Sequence, residues 1–526
     1  MLNSPPSIPP TERFTPGVVD SSVERGLRWT TIRQVVTSLA GTVGVLFYAR
    51  FLTPDALGAA SLALLVYEGM YLLIRVPIGH AVIYYQEDEH QHASAAFWLL
   101  MGFSLTAIVL VVLFAPWMGQ FYKSQLAGPL TQAVTLAFLL TSLAAVPNAL
   151  LIKHMRFPAS ESLLTTFYLI QMIGWIVMSV LGYGAWSLIV PAIIAAAVWA
   201  VGAWIVTRFR PMLHPGRHAF TDILRFSRNL WGSELLTYLM NKMDNAAVGT
   251  LGERSLGLYA FGEDQASFAI LGVAGVIAGV TLPLLAKLQD SLDAFRAQYL
   301  SMLRLTAALT FPMQIGGIVI ADIGLTLMYG SQWAEAVPIF QAYVCYHLFD
   351  ALTVLSDAAM SAQGRPDLRL RMNLIQLPFF VAGTWFGLAV WGGIFGVAAS
   401  LAIVRAIAAC IYLLITWRLL KVTPRQVMGA LLPSLIAATV MGVAAWAVRG
   451  VVQGIPITVL VIVVGTAVLI YWALLWLIDR AAFIDVVRLS VQVMLTEGPR
   501  QRIAGIMRRI PLVRRLEPIF FTAEGI

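Results

Sequence analysis

The chain has 526 residues, of which 59% are hydrophobic and only 12% are charged. Soluble domains carry about 25% charged residues, so this composition excludes a soluble enzyme of the same length. The mean hydropathy of +0.79 indicates a membrane protein with many spans, each needing roughly 20 apolar residues. The net charge of +8 is not gathered on a polar domain, which excludes a nucleic-acid-binding protein.

The first 22 residues contain five prolines and charges of both signs, with no apolar core, and predict a disordered cytoplasmic tail. Fourteen apolar stretches follow, separated by turn or charge signals. Their approximate limits are 27–52, 57–78, 93–118, 130–152, 159–181, 185–207, 223–250, 256–286, 297–321, 334–362, 372–391, 394–417, 426–448 and 455–478. Many connections are only a few residues long, so neighbouring helices are expected to be antiparallel, with no folded domain outside the membrane.

The basic residues are distributed asymmetrically over the connections. If the N-terminus is cytoplasmic, 27 of the 35 lysines and arginines fall on the cytoplasmic side and four on the other side. The positive-inside rule therefore predicts that both termini are cytoplasmic. Residues 480–526 begin with apolar side chains at helical spacing and then become basic. This pattern predicts an amphipathic helix on the anionic membrane surface, with a solvated basic tail as the alternative.

Four short motifs recur at offsets of about 200 residues, which indicates an internal repeat. Leu52–Gly58 recurs as Leu251–Gly257, Tyr122–Gln125 as Tyr329–Gln332, Arg156 as Arg365 and Gly184 as Gly393. Because each half contains six spans, both halves have the same orientation, related by an axis along the membrane normal.

The predicted fold class is an all-α polytopic membrane protein. We expect 14 transmembrane helices, arranged as two parallel six-helix lobes around a central cavity plus two extra C-terminal helices. The predicted domains are the tail 1–22, an N-lobe 23–210 with spans 1–6, a C-lobe 211–421 with spans 7–12, spans 13 and 14 in 422–479, and the cytoplasmic basic amphipathic tail 480–526.

Many ionisable residues fall inside the predicted spans, among them Arg33, Glu68, Arg75, Glu234, Lys242, Asp244, Glu263, Asp264, Asp350, Asp357 and Arg405. Each costs roughly 2.5–3.5 kcal/mol in the middle of a span that faces lipid. Most are therefore expected to face one another or a hydrated cavity, and such a cavity between two lobes is typical of a transporter.

The cationic candidates have structural alternatives. Arg33 shares a helical stripe with small residues and suits a phosphate at the cytoplasmic mouth, or a packing face with one snorkelling arginine. Arg75 lies near the cytoplasmic end of its span, where it could also snorkel. Lys242 and Asp244 point roughly 160° apart on span 7, so neither neutralises the other within the helix. A buried ion pair with another helix is the alternative.

The acidic candidates on span 10 are Asp350 and Asp357, which share one stripe with His347 and Ser361. Two carboxylates on one face suit proton or sodium coupling, and a capping or core role is the alternative. The sequence has no zinc-protease motif, no phosphate-binding glycine loop and no cysteine pair at metal spacing. We therefore expect no metal, no cofactor, no catalytic residue and no enzymatic activity.

Several segments resemble one family. They are Trp29 with Gln34, Ala49–Gly58, Ala96–Trp98, Tyr183–Leu188, and Asn241 with Asp244 followed by Leu256–Tyr259. Over about residues 24–420 the chain resembles bacterial lipid-linked oligosaccharide flippases of the Wzx type. The resemblance is strongest to their colanic-acid-exporter-like branch, in the multidrug/oligosaccharidyl-lipid/polysaccharide exporter superfamily.

The resemblance implies a flippase that moves undecaprenyl-diphosphate-linked repeat units across the bacterial inner membrane, for exopolysaccharide, capsule or O-antigen synthesis. It implies cation-coupled alternating access, contact with membrane lipids, and a polysaccharide polymerase with its chain-length machinery as candidate partners. It carries no residue-level site motif.

The candidate site residues therefore rest on charge alone. The diphosphate would be bound by Arg33, Lys242 and Arg405, with Arg75 and Arg228 at the cytoplasmic mouth. The candidates for ion coupling are Asp350, Asp357, Glu234 and Asp244.

Two other functions are the alternatives. A drug or cation antiporter of the same superfamily would want an acidic cavity, whereas the spans here hold about as many cations as carboxylates. A membrane-embedded glycosyl polymerase or ligase would need a sizeable outer loop, and the longest outer connection is only ~15 residues.

Overall fold

The computed structural model describes residues 21–494, apart from the side chains of a few short stretches within them. This part of the chain is almost entirely helical and contains no β-strand. The predicted tail 1–22 lies outside the described residues except for its last two positions. The basic end of the predicted tail 480–526 lies outside them beyond Met494.

Sixteen α-helices follow one another along the described residues. They are α1 (Ser21–Phe51), α2 (Pro54–Met70), α3 (Val76–Tyr84), α4 (Glu89–Phe121), α5 (Ala127–Lys153), α6 (Phe157–Val180), α7 (Trp186–Thr207), α8 (Arg217–Gly249), α9 (Glu253–Ala286), α10 (Leu292–Tyr329), α11 (Val337–Ala362), α12 (Pro366–Phe386), α13 (Gly393–Leu420), α14 (Pro424–Val451), α15 (Pro456–Ile478) and α16 (Arg480–Met494). The π-helical turn Tyr71–Arg75 joins α2 to α3, a second one, Gly387–Gly392, follows α12, and the 3₁₀ turn Ser331–Ala336 precedes α11.

Ten helical segments within residues 21–494 are long and apolar enough to cross a membrane. The prediction of an all-helical, multi-pass integral membrane protein is confirmed. One of the ten, Asp367–Leu420, contains two predicted spans, 372–391 and 394–417. The helices α1, α8 and α9 are not among the ten, and a shorter apolar helix, Val36–Phe51, lies within α1.

Two turns of the sequence repeat share one backbone geometry. Met155 has φ 54° and precedes Arg156, and Gly364 has φ 70° and precedes Arg365. In both turns the arginine N–H donates to the carbonyl oxygen five residues earlier, at 2.8 Å in the first and 3.0 Å in the second. This closure is typical of a Schellman motif at a helix C-terminus. The match of Arg156 with Arg365 in sequence is therefore also a match in local structure.

The chain divides into two compact units. The first holds the described residues up to Phe51, then Val66–Pro116 and Gly128–Glu234. The second holds Leu52–Leu65, Trp117–Ala127 and the chain from Leu235 onward. The predicted lobes and the separate status of spans 13 and 14 stay predictions.

The core of the first unit is built where α3, α4 and α5 meet. Ile78, Phe97 and Val146 are buried there together, and the indole of Trp204 on α7 donates to the carbonyl oxygen of Leu143 at 2.9 Å. Lipid tails are as apolar as these side chains, so close packing and this interhelical hydrogen bond, and not the hydrophobic effect, hold the helices of the unit together.

In the second unit, α14 and α15 pack against α10. Phe311, Met441 and Tyr471 are buried in this cluster, and the Tyr471 phenol donates to the carbonyl oxygen of Ala308 at 2.6 Å. The helix α16 continues the cluster, with Phe483 packed against it. The last two long apolar helices are thus joined to the rest of the unit through α10.

Candidate functional site

In the first unit, Arg33 is bound by a carboxylate that was not among the sequence candidates. The Arg33 guanidinium on α1 forms an ion pair with Glu161 on α6. Thr30 donates a hydrogen bond to the same carboxylate at 3.1 Å. The two charged side chains are only 20% and 12% exposed, so Glu161 neutralises Arg33 at a largely buried position.

Arg75 is held by aromatic rings. Its guanidinium carbon lies 4.6 Å from the ring centre of Tyr71 and 4.6 Å from that of Trp199 on α7. Cation–π contacts stabilise by about 0.5–2 kcal/mol, and π-helical turns such as Tyr71–Arg75 are frequent at functional sites.

The second unit contains a ring of three neighbouring oxygen atoms, one from Asp244 on α8 and one from each of two tyrosines. Asp244 Oδ2 accepts hydrogen bonds from Tyr259 on α9 at 2.8 Å and from Tyr343 on α11 at 2.5 Å. The two phenol oxygens are themselves 2.7 Å apart. All three side chains are buried, and the ring joins three helices at one point.

A second carboxylate, Glu263 on α9, lies beside this ring. Asn245 donates to Glu263 at 2.6 Å, and Glu263 interacts electrostatically with Asp244 and Lys242. The side chain of Lys242 is half-buried. Asp264 acts on Glu263 as well, so three carboxylates and one lysine are close together at this point.

Arg405 on α13 lies in a further polar group of the second unit. It forms an ion pair with Asp350 on α11 and donates to Gln376 on α12 at 3.2 Å. The ring centre of Tyr346 is 5.4 Å from the guanidinium carbon, and His347 Nδ1 lies 3.8 Å from Asp350. The guanidinium is thus surrounded on several sides by protein groups.

The remaining sequence candidates lie elsewhere. Asp357 faces Arg369 of α12, with 3.6 Å between Oδ2 and Nε, so the two carboxylates predicted on one stripe, Asp350 and Asp357, each meet a different arginine. On α8, Glu234 is half-buried and Arg228 is exposed. Which of these residues bind a diphosphate or couple an ion stays a prediction.

Three residues join the site only through the structure: Glu161, Tyr259 and Tyr343. Glu161 could have been identified as a candidate from the sequence, because it is an acidic residue inside the predicted span 159–181. No sequence pattern marked the two tyrosines as partners of Asp244. Within the described residues no group of three or more His, Cys, Asp or Glu side chains could hold a metal ion.

A protein family matches more than half of the sequence. Residues 47–338 match the family described as "Polysaccharide biosynthesis protein", and this match spans more than half of the chain. The chain belongs to this family. The resemblance to Wzx-type flippases and the predicted role in polysaccharide transport are confirmed.

The relatives of this chain share little sequence identity with it, but the alignments cover most of its length. The chain is 23% identical over 327 residues to the "Succinoglycan biosynthesis transport protein ExoT" of Rhizobium meliloti (strain 1021), covering 62% of this chain and 66% of that protein. It is 22% identical over 389 residues to the "Lipopolysaccharide biosynthesis protein WzxC" of Escherichia coli (strain K12), covering 73% and 78%. The "Teichuronic acid biosynthesis protein TuaB" of Bacillus subtilis (strain 168) is 21% identical over 356 residues, covering 66% and 73%.

Solved structures show the fold of this polysaccharide biosynthesis protein. The lipid II flippase MurJ in an inward closed conformation superposes with a TM-score of 0.67 at 18% identity, covering 87% of this chain and 99% of that one. An inward-facing multidrug resistance MATE family transporter of the MOP superfamily superposes with a TM-score of 0.55 at 14% identity, covering 74% and 98%. At these identities the likeness concerns the fold alone.

Proposed function

We propose that the protein is a flippase that moves lipid-linked oligosaccharide repeat units, carried on undecaprenyl diphosphate, across the bacterial inner membrane. The repeat units would serve exopolysaccharide, capsule or O-antigen synthesis. The family match over residues 47–338 carries this proposal, and the similarity to ExoT, a succinoglycan biosynthesis transport protein, and to WzxC, a lipopolysaccharide biosynthesis protein, supports it. The reaction is translocation, so the protein itself breaks and forms no covalent bond.

The proposed architecture has 14 membrane-crossing helices: α1, the continuous α2–α3 segment, and α4 to α15. Two parallel six-helix lobes enclose a cavity, and α14 and α15 follow as an appendix. The shared turn geometry at Arg156 and Arg365 supports the repeat. The excess of lysine and arginine on one side supports cytoplasmic termini.

The diphosphate would bind by displacing the carboxylates that now pair with the buried arginines. Arginine binds phosphate through two parallel N–H bonds, and Arg33 and Arg405 each hold a carboxylate in the present conformation. A diphosphate that displaced Glu161 or Asp350 would keep each guanidinium neutralised throughout, which avoids leaving a buried charge alone. Lys242, Arg75 and Arg228 would complete the cationic path for the headgroup.

The energy for transport would come from a cation gradient, with Asp350, Asp357, Glu234 and Asp244 as the coupling candidates. Alternating access would bring the headgroup from the cytoplasmic to the outer side. A polysaccharide polymerase and its chain-length machinery would then consume the repeat units on that side, which makes them candidate partners.

Transport can be measured directly with the purified protein in liposomes that contain a polyprenyl-diphosphate oligosaccharide. We expect the protein to speed the transfer of the sugar from one leaflet to the other, read by its accessibility to an added lectin. Protein-free liposomes are the control. Absence of any acceleration, together with export of cationic dyes from cells, would contradict the flippase and favour a drug antiporter.

A further inference from the structure

The helices of the sixth and twelfth predicted spans, α7 and α13, end in the same way, but the chain that follows them differs in length. Arg208 after α7 and Lys421 after α13 both have φ 52°, a left-handed conformation that is common at helix C-termini. In the second half α14 begins after residues 421–423, whereas α8 begins only after residues 208–216, which we call the α7–α8 connection. Extra residues in one copy of a repeat often belong to a binding face.

The α7–α8 connection is fixed to α4 by hydrogen bonds. The Met212 N–H donates to Ser94 Oγ at 2.9 Å, and the Trp98 indole donates to the Met212 carbonyl oxygen at 2.8 Å. The Gly216 N–H donates to Gln91 Oε1 at 3.2 Å. Side chains of a single helix therefore hold the connection in one position.

These contacts place the middle of the connection beside the membrane-crossing part of α4. The helix begins at Glu89 and is one of the ten segments that are long and apolar enough to cross a membrane. Trp98 lies nine residues after Glu89, which is about 14 Å along the helix axis. Met212 is thus level with the third turn of α4, and tryptophan is enriched at the boundary between membrane and water.

The tip of the connection exposes apolar side chains. Leu213 is 76% exposed and Met212 is 39% exposed, whereas Val422 in the short α13–α14 connection is only 6% exposed. Pro211 and Pro215 flank the tip and restrict its backbone. At the level of the membrane boundary, an apolar side chain held outward in this way is suited to contact lipid.

Exposed cations surround this apolar tip. Three arginines, Arg208, Arg210 and Arg217, are exposed and lie within five residues of Leu213 in the sequence. Carboxylates of the neighbouring segments contact other side chains; these contacts are Asp88 with His218, Glu89 with Lys153 and Asp222 with His92. Basic side chains next to an exposed apolar one are typical of surfaces that bind anionic lipids.

We propose that the α7–α8 connection binds anionic phospholipid headgroups, with Leu213 among the upper acyl chains and Arg208, Arg210 and Arg217 on the lipid phosphates. Binding is reversible, and no covalent bond is made or broken. Because the connection is bonded to α4 and leads directly into α8, a bound lipid holds the beginning of α8 at the membrane surface. This site is for phospholipids of the surrounding bilayer and does not depend on what the protein transports.

The test uses the full-length protein with both native cysteines replaced, Cys345→Ala and Cys410→Ala, and a bimane fluorophore on His214→Cys, an exposed position beside Leu213. Short-chain phosphatidylglycerol is added in neutral detergent while the fluorescence is followed. We expect saturable binding of phosphatidylglycerol. Phosphatidylcholine, which has no net charge, and glycerol phosphate, which has no acyl chains, should each bind at least about tenfold more weakly.

Charge removal tests the arginines. Arg210→Gln combined with Arg217→Gln should weaken phosphatidylglycerol binding about 25-fold, since each basic residue near an anionic surface contributes about fivefold. The matched control is Arg418→Gln combined with Lys421→Gln, which removes two exposed cations beside the short α13–α14 connection and should leave binding unchanged. Equal losses in both pairs would assign the effect to the general basic charge of the protein and overturn the site.

Leu213→Ser tests the apolar contact at a position where the exposed side chain is not needed for folding. This variant should weaken phosphatidylglycerol binding by a factor of about ten and leave the weaker binding of glycerol phosphate unchanged. Unaltered phosphatidylglycerol binding, with a melting temperature equal to that of the parent protein, would contradict the insertion of Leu213 into lipid.

The position of the connection is measured in liposomes that contain phosphatidylglycerol. Lipids with a nitroxide near the headgroup should quench bimane on His214→Cys more strongly than bimane on Asp290→Cys, an exposed position between α9 and α10. Quenching of the His214→Cys label by aqueous iodide and not by nitroxide lipid would place the connection in water. That result would overturn the proposal and favour a soluble partner as the occupant.

Discussion

Gly58 on α2 and Gly257 on α9 make a reciprocal contact within the second unit. A Cβ atom on Gly58 would overlap the carbonyl oxygen of Glu253, and a Cβ atom on Gly257 would overlap the carbonyl oxygen of Pro54. The two glycines are equivalent positions of the sequence repeat. Backbones approach this closely only where small residues face each other, so the repeat supplies glycine to both sides of one contact.

We expect Gly58→Ala and Gly257→Ala each to destabilise the protein, because overpacking costs about 1–3 kcal/mol. The double variant should lose less than the sum, since both methyl groups act on one contact. The control is Gly102→Ala on α4, where a Cβ would meet nothing within 4 Å and alanine should stabilise the helix by about 0.5–1 kcal/mol. Thermal unfolding in detergent measures all four, and an unaltered melting temperature for Gly58→Ala would contradict the contact.

Variants of the Asp350–Arg405 ion pair can distinguish a structural role of Arg405 from a role in substrate binding. We expect Arg405→Gln to lower the melting temperature more than Arg405→Gln combined with Asp350→Asn, because breaking one side of a buried pair costs about 3–5 kcal/mol. Polymer export is then measured for the double variant. If Arg405 binds the diphosphate, export stays lost although the protein folds. Restored export would show that Arg405 does not bind the substrate.

Removal of the Arg33 charge should strongly reduce export while the protein still inserts in the membrane. A hydrogen bond to a charged group is worth about 1.5–3 kcal/mol, so Arg33→Ala should reduce export at least about tenfold. The matched control is Arg449→Ala, because Arg449 on α14 is also paired with a carboxylate, that of Asp322, but belongs to no proposed binding site. Surface polymer is measured relative to the amount of protein in the membrane, and equal export by both variants would contradict a role for Arg33.

Asp485 on α16 should make stability depend on pH. Burial raises the pKa of its carboxyl above the usual value, and Arg488 and Arg304 offset this only in part. An acid whose pKa is raised by folding destabilises the protein when it ionises, so the penalty is absent at low pH and sets in as the pH rises through the folded pKa.

We therefore expect Asp485→Asn to raise the melting temperature at neutral pH and to leave it unchanged below the ordinary aspartate pKa of about 3.9. Melting curves across this pH range measure the effect, with Asp290→Asn, an exposed loop position, as the control. The same shift at every pH would show that the substitution acts through packing and not through charge.

The sequence by itself determined the class of fold. In a bilayer an apolar segment of sufficient length must satisfy its backbone internally, and a helix does so without any partner. The limits of the helices therefore follow from local composition, as at α15, where the predicted span 455–478 and Pro456–Ile478 agree. The repeat was likewise visible, because the turns at Arg156 and Arg365 need particular residues within a few positions.

Only the tertiary structure decided which group neutralises each buried charge. Helical periodicity gives the direction of a side chain from its own helix, but not the helix that it meets. Arg33 meets Glu161, which is 128 residues away, and Arg405 meets Asp350, which is 55 residues away. The need to satisfy a charge inside the membrane is local and can be seen in the sequence, whereas the partner is set by how distant helices pack.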